Sequence, residues 1–302
     1  MARITGILDE VQIFDSTSTD ITADVGHINT ASYGLDHKTK QYPSIGGGAS
    51  YVELIDDFVD IKTSLSIHPL SGTGFNGVAQ LFGTITTDVT WSWAWPDTLP
   101  EFKINASLIS GEYAELTNVK FGSWSIKASK GNPVEVTLDG LAKNFKIVAG
   151  TATNTPPATS RLVYLDGYGK IDGTAVGSID NISIDGSRGL EAVRGIESTA
   201  AGSRRLPSEI IEKMKDISFS ATIEITDDLA YQKALGDSAL PYEIVDTRAN
   251  IALDMYLNSQ VKIALTNCAI QTLDHGKSAD AEIRTVDIKG IATGITMAEI
   301  AA

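Results

Sequence analysis

The strongest constraint on this chain is that it echoes itself at half its length. Asp24-Val25-Gly26-His27-Ile28-Asn29 returns as Ala175-Val176-Gly177-Ser178-Ile179-Asp180, an offset of 151. The block from Glu53 to Ile61 returns from Glu209 to Ile217 at an offset of 156, and continues to the pair Ile67/Ile223. Leu116-Thr117-Asn118 matches Leu265-Thr266-Asn267 at 149, and Leu138-Asp139-Gly140 matches Ile288-Lys289-Gly290 at 150. The matches are collinear and their offsets drift by a few residues, as loop insertions produce. They favour a tandem duplication, with one unit over 1–150 and another over 151–302. Charge divides the same way. The first 150 residues carry 10 basic and 17 acidic side chains and the rest 14 and 21, so each half stands at −7. Between them, Ala149 to Ser160 is small, polar and proline-bearing, which reads as an extended linker.

Within each half the apolar residues alternate. Ile61 to Ile67, Val134 to Leu138, Ile179 to Ile184, Phe219 to Ile225 and Ile283 to Ile288 are rich in Ile, Val and Thr and alternate for the most part with period two. That period sends successive side chains to opposite faces, the mark of half-buried antiparallel strands. One short helix per half is expected. The second runs from Thr226 to a stop at Gly236, with Asp227-Asp228 at its start, and the first runs from Gly74 to Phe82. The expected fold class is mostly β: two tandem duplicated β-sandwich or barrel-like domains, each with one short helix.

Composition narrows the functions. A single cysteine, Cys268, excludes an intrachain disulfide framework and any multi-thiolate zinc site. A net charge of −14 argues against non-specific wrapping of nucleic acid, because phosphates would be repelled. No apolar run reaches a membrane-span length, and the first fifteen residues lack the apolar core of a secretory signal.

Catalytic motifs do not assemble. Gly72 to Gly77 spells G-x-G-x-x-G, but Pro69 precedes it, the helix after it is short, and its surroundings read as antiparallel. His27, His37, His68 and His275 have no metal-ligand spacing. The paired acids Asp56-Asp57 and Asp227-Asp228 read as solvated or helix-capping groups. No enzyme activity, cofactor or metal is expected. Two other features carry possible contacts. Trp91, Trp93 and Trp95 share one face of a strand, either packed in a core or seam or stacking on sugar rings. Cations gather in the segment after each Val-Gly-x-Ile motif: His37, Lys38 and Lys40 in the first copy, and Arg188, Arg194, Arg204 and Arg205 in the second. In an acidic chain such a cluster reads either as a solvated loop or as a docking surface for an acidic partner.

Ser178 to Gly186 leads into Gly189 to Ile196; after Pro207-Ser208-Glu209 follows Ile217 to Asp227. This order of strand, long loop, strand and short helix resembles the tail tube proteins of tailed bacterial and archaeal viruses. The resemblance is clearest over 160–236 and reaches the whole chain through the duplication. It implies subunits that join their sheets into a ring around a lumen, with rings stacked into a tube that conducts the genome during ejection. Such rings present six tube domains, so a two-domain chain would need three copies, a pseudo-hexameric trimer. The long loops, here bearing Lys38, Lys40, Arg188, Arg194, Arg204 and Arg205, would then touch a neighbouring ring or subunit. Tape-measure, tail terminator and baseplate proteins are the implied partners, with double-stranded DNA in transit. The implied location is the virion tail, after assembly in the host cytoplasm. An acidic lining would keep DNA from sticking. The competing reading is a surface-displayed β-sandwich that binds glycans through Trp91, Trp93 and Trp95.

Overall fold

The computed structural model describes residues 11–43, 52–71, 74–87, 90–108, 111–153, 157–193, 206–224, 229–235, 250–258, 260–276 and 285–300. The first half supplies β1 (Val11–Phe14), α1 (Thr22–Val25), β2 (His27–Pro43), β3 (Val52–His68), α2 (Phe75–Ala79), β4 (Thr84–Thr87), β5 (Trp91–Ala94), β6 (Phe102–Ser107), β7 (Glu112–Ser129), β8 (Glu135–Ala142) and β9 (Asn144–Ala149). The second supplies β10 (Gly167–Ile171), β11 (Thr174–Val193), β12 (Glu209–Glu224), α3 (Leu229–Leu235), β13 (Ile251–Leu257), β14 (Val261–Gly276), β15 (Thr285–Ala292) and β16 (Gly294–Glu299). The protein is mostly β and sandwich-like, and the alternating segments of the sequence are its strands.

A main sheet runs in the order β2-β3-β8-β7-β11-β12-β15-β14, antiparallel throughout. Side sheets form against it in each half, as β1-β6-β7-β9 and β10-β13-β14-β16. The long strands β7 and β14 belong to both sheets. Each leaves its side-sheet partner just before a bulge in the main-sheet ladder, between Phe121 and Ser123 in β7 and between Ile270 and Thr272 in β14. Shortly before each bulge an asparagine holds left-handed backbone, Asn118 at φ 53 and Asn267 at φ 50. A bulge bends a strand and steepens its twist, which lets one strand serve two layers.

The pairing scheme of the first half recurs in the second at the offsets read from the sequence. Leu65 faces Leu138 and Ala221 faces Ile288; Ile104 faces Leu116 and Leu253 faces Leu265; Leu116 faces Phe145 and Leu265 faces Ile295. Register of this kind is set by which face is apolar, since a slip of one residue would turn every buried side chain outward. Backbone exceptions recur too. Gly26 at φ 121 and Gly177 at φ 135 occupy a region L side chains avoid. A Cβ there would come within 2.6 Å of the His68 carbonyl oxygen or 1.8 Å of the Glu224 one.

Three expectations change. The halves are not beads on a linker, because β7 pairs with β11 and β16 pairs with β5, so strands of both halves share one hydrogen-bonded network and one apolar core. The connecting segment is fastened as well: Ala152 is buried, its carbonyl accepts from Ser107 Oγ at 3.0 Å, and Ser71 N–H donates to the Ser160 carbonyl at 2.9 Å. The first half also adds a one-turn helix, α1, and its expected helix shortens to α2. Residues 226–228 and 236, at the ends of the other expected helix, lie outside the described residues.

Candidate functional site

Among the described residues, the candidate surfaces are the two faces and the two edges of the main sheet. Its apolar face presents Ile61, Leu65, Ile126, Leu138, Ile184, Phe219 and Ile288 to the core, all buried. The other face is polar. It carries Ser125, Asp139, Asp185, Ser218 and Asp287, with Lys62, Lys127 and Lys289 among them. Alternation alone produces this division, since the polar residues sit next to buried ones along each strand. Among the described residues β2 pairs only with β3, and β14 beyond its bulge pairs only with β15, so the sheet ends in two unpaired edges.

Where the halves meet, the sheet holds a buried ionic cluster. Glu212 of β12 accepts from Lys120 Nζ at 2.7 Å and Arg188 Nη1 at 3.1 Å, and both its carboxylate oxygens lie 3.1 Å from the Leu99 N–H. The Arg188 guanidinium also donates to the carbonyls of Pro96, Asp97 and Lys213. Lys120, Arg188 and Glu212 come from β7, β11 and β12, so the cluster crosses the junction. Nearby, Glu101 accepts from Asn118 and pairs with Lys143 at 3.3 Å. Its partial burial would raise the carboxyl pKa, but the Asn118 hydrogen bond and the charges of Lys143 and Lys120 outweigh this and hold it below the usual range.

Trp91, Trp93 and Trp95 all point into the core, at 2%, 1% and 8% exposure. Phe75 stacks on Trp91; Phe82 and Trp93 pack against the fourth indole, Trp124, at centroid distances of 5.0 and 6.1 Å, and Trp95 does so at 5.4 Å. Trp93 Nε1 donates to the Ala79 carbonyl at 2.9 Å. The strand bearing the row, β5, hydrogen-bonds to β16 of the other half, with Trp93 opposite Met297. The row therefore fastens the two halves. None of the three indoles keeps an open face on which a sugar could stack, which removes the support for glycan binding.

The family described as phage tail tube protein matches residues 12–288, nearly the whole chain. This chain belongs to that family. No curated protein matches it.

The remaining candidates of this tail tube protein fall in different places. Arg188 is 8% exposed and committed to partners within the chain, so its role is internal, at the junction, rather than at a docking surface. Lys38 and Lys40 lie on β2, opposite Phe58 and Ile55. Arg194, Arg204 and Arg205 lie outside the described residues. Cys268 is fully buried, and burial pushes its thiol up to about 11, so it stays protonated at neutral pH. Among the described residues no group of three or more His, Cys, Asp or Glu is arranged to hold a metal. The sequence did not expose the Glu212 cluster, because its members are 24 to 92 residues apart and meet only through strand pairing. The one available signal was that Arg188 is the lone cation of the segment 174–193.

Proposed function

We propose that this tail tube protein is a duplicated subunit, with tube units at 1–150 and 151–302, and that three chains close into a pseudo-hexameric ring that stacks into a genome conduit. The observation that carries the reading is the order of the main sheet. It consists of one four-strand unit, β2-β3-β8-β7, followed by a second with the same internal order, β11-β12-β15-β14. A sheet built from repeating units with open ends is completed by further units, and closure removes the exposed edges that otherwise invite aggregation.

Barrel geometry supports three chains over two. With strands about 4.8 Å apart and tilted about 40°, sixteen strands give a backbone diameter of about 32 Å and twenty-four about 48 Å. Inward side chains take about 10 Å of that, so two chains would barely admit a duplex about 20 Å wide, whereas three leave a hydrated margin. The apolar face is covered by the side sheets, so the polar face is the one that fits a lumen. There Asp36, Glu135, Asp139, Asp185, Asp274 and Asp287 outnumber Lys62, Lys127 and Lys289 amid small serines and threonines, and this acidic excess repels phosphate and lowers friction on sliding DNA. Lys38, Lys40, Arg194, Arg204 and Arg205 belong to the long hairpins β2/β3 and β11/β12 and the connections at their tips, which suit contact with the next ring or subunit. The chain would assemble in the host cytoplasm and reside in the virion tail. There it would join tape-measure, terminator and baseplate components, without enzymatic activity of its own.

Electron microscopy of purified protein at high concentration tests this directly. Rings or tubes with an open centre, three-fold by class averaging, are expected. A chain that stays monomeric under every condition overturns the reading. The double substitution Arg204→Glu/Arg205→Glu should leave rings intact and shorten or abolish tubes; unchanged tube length would refute the stacking role.

A further inference from the structure

The junction inside the chain is a template for the junction between chains. We infer that the open edge of β14 in one copy pairs antiparallel with the open edge of β2 in the next copy, in the register that β7 and β11 use inside one chain. This rests on the ring reading above and adds its seam, residue by residue.

The argument begins with the internal junction. There Ser183 faces Lys127, Ile184 faces Ile126, Asp185 faces Ser125 and Gly186 faces Trp124. In the repeated pairing scheme β11 corresponds to β2 at an offset of 151, and β7 corresponds to β14 at an offset of 149. The same bulges mark these offsets: Ile28/Thr30 answers Ile179/Asn181, and Phe121/Ser123 answers Ile270/Thr272. Subtracting 151 from the β11 numbers and adding 149 to the β7 numbers converts the internal register into one between chains. Gly186·Trp124 becomes Leu35·Leu273, Asp185·Ser125 becomes Gly34·Asp274, Ile184·Ile126 becomes Tyr33·His275, and Ser183·Lys127 becomes Ser32·Gly276. The segments concerned are the ones that lack a strand partner on their outer side among the described residues.

The side chains fit this register. Inside the chain a glycine opposes a tryptophan, and a Cβ on Gly186 would lie 2.2 Å from the Trp124 ring. At the seam the same volume is shared equally, by two leucines. Leu35 is 42% exposed in the single chain, an unusual state for a leucine on the core-side face of a sheet, and Leu273 is half-buried beside it in the proposed pairing. A side chain at Gly34 would meet nothing within 4 Å, so the backbone of β2 can be approached there. The contact is head-to-tail, using different edges on the two partners, and such contacts generate rings when the rotation closes.

Cysteine pairs read the register. Facing residues of an antiparallel pair have Cα separations within disulfide range, whereas a shift of two residues along one strand does not. The variant Leu35→Cys/Leu273→Cys, assembled under reducing conditions and then oxidised, should give a ladder of covalently joined chains under denaturation. Its yield should exceed that of Leu35→Cys/Gln271→Cys by about ten-fold. The native Cys268 is buried and does not compete. A charge exchange provides an independent reading: Leu35→Lys should abolish rings while leaving a folded monomer by circular dichroism, and adding Leu273→Glu should restore them. If tubes form but the 35/273 pair links no better than the 35/271 pair, and Leu273→Glu does not rescue, the register is wrong while the tube reading stands. If the unaltered protein forms no rings at all, the tube reading itself has failed.

Discussion

Over their described residues the two long hairpins β2/β3 and β11/β12 share a pairing pattern and differ in surroundings. Both have a bulge near the start, between Ile28 and Thr30 and between Ile179 and Asn181, and both hand their second strand to a short partner, β8 or β15, in the same register. Yet β11 is flanked on both sides and tied at its outer part by Arg188, while β2 has a partner on one side only. The ionic cluster has no counterpart at the free edges, since Lys120 corresponds to Ala269. On the proposed ring, one scheme would make both a permanent contact and a reversible one. Inside the chain, a buried ion triad and an indole cluster hold the junction. In the proposed seam between chains, the edge would offer backbone hydrogen bonds and two leucines, which part more easily.

Removing the centre of the triad tests that contrast most severely. Glu212→Ala leaves Lys120, Arg188 and the Leu99 N–H without their shared acceptor in a buried place, and breaking such a pair costs about 3–5 kcal/mol. Thermal or denaturant unfolding of the monomer should register the full loss. A change below about 1 kcal/mol would mean that the junction is held by packing alone.

The glycines that open β2 and sit inside β11 come next. Gly177→Ala places a methyl 1.8 Å from the Glu224 carbonyl oxygen and Gly26→Ala places one 2.6 Å from that of His68, both on left-handed backbone. Each should destabilise by about 2–3 kcal/mol, with Gly177→Ala the worse. Equal and negligible effects would break the claim that the two sites do the same structural work.

A smaller effect separates two indoles of the junction. Trp93 Nε1 is hydrogen-bonded to Ala79, whereas Trp124 Nε1 is buried without a partner. Replacing either by Phe loses similar volume, so the difference isolates the hydrogen bond. Trp93→Phe should cost about 1 kcal/mol more than Trp124→Phe.

Much of this architecture is legible in the sequence because the features that set register are local. Alternating Ile, Val and Leu specify which face is buried, and the Val-Gly-x-Ile and Leu-Thr-Asn motifs mark the positions where backbone must turn left-handed. The offsets of 151 and 149 between those motifs are the offsets between the bulges. What the sequence conceals is long-range. A proline-bearing segment after Ala149 reads as a spacer between separate domains, yet nothing local says that Ser123 to Ser129 will pair with a strand beyond it. Arg188 looks like one of several loop cations, and only the pairing of β11 with β12 brings it to Glu212. The Trp row shows its periodicity but not its neighbour, since Met297 lies two hundred residues away.

The smallest expected effect lies in acid, and it too divides the halves. Glu101 is held below its usual pKa by Asn118, Lys143 and Lys120, so the folded chain binds a proton there less readily than the unfolded chain does. Stability from this group is therefore present above the unfolded carboxyl pKa of about 4.3 and is lost as pH falls through the lower folded value. At the matching position of the second half stands Asn250, which does not titrate, although Asn267 repeats the backbone of Asn118. Lowering pH below about 4 should accordingly loosen the Phe102/Val119 end of the β6/β7 pair before the matching Ile251/Cys268 end of the β13/β14 pair. Hydrogen exchange at the Val119 and Cys268 amides, which are counterparts, reads the two strand-pair ends separately. Glu101→Gln should remove the acid-specific rise at Val119 and leave Cys268 unchanged. A parallel rise at both amides in the unaltered protein would show that acid acts on the shared sheet as a whole, and that the two halves do not loosen independently.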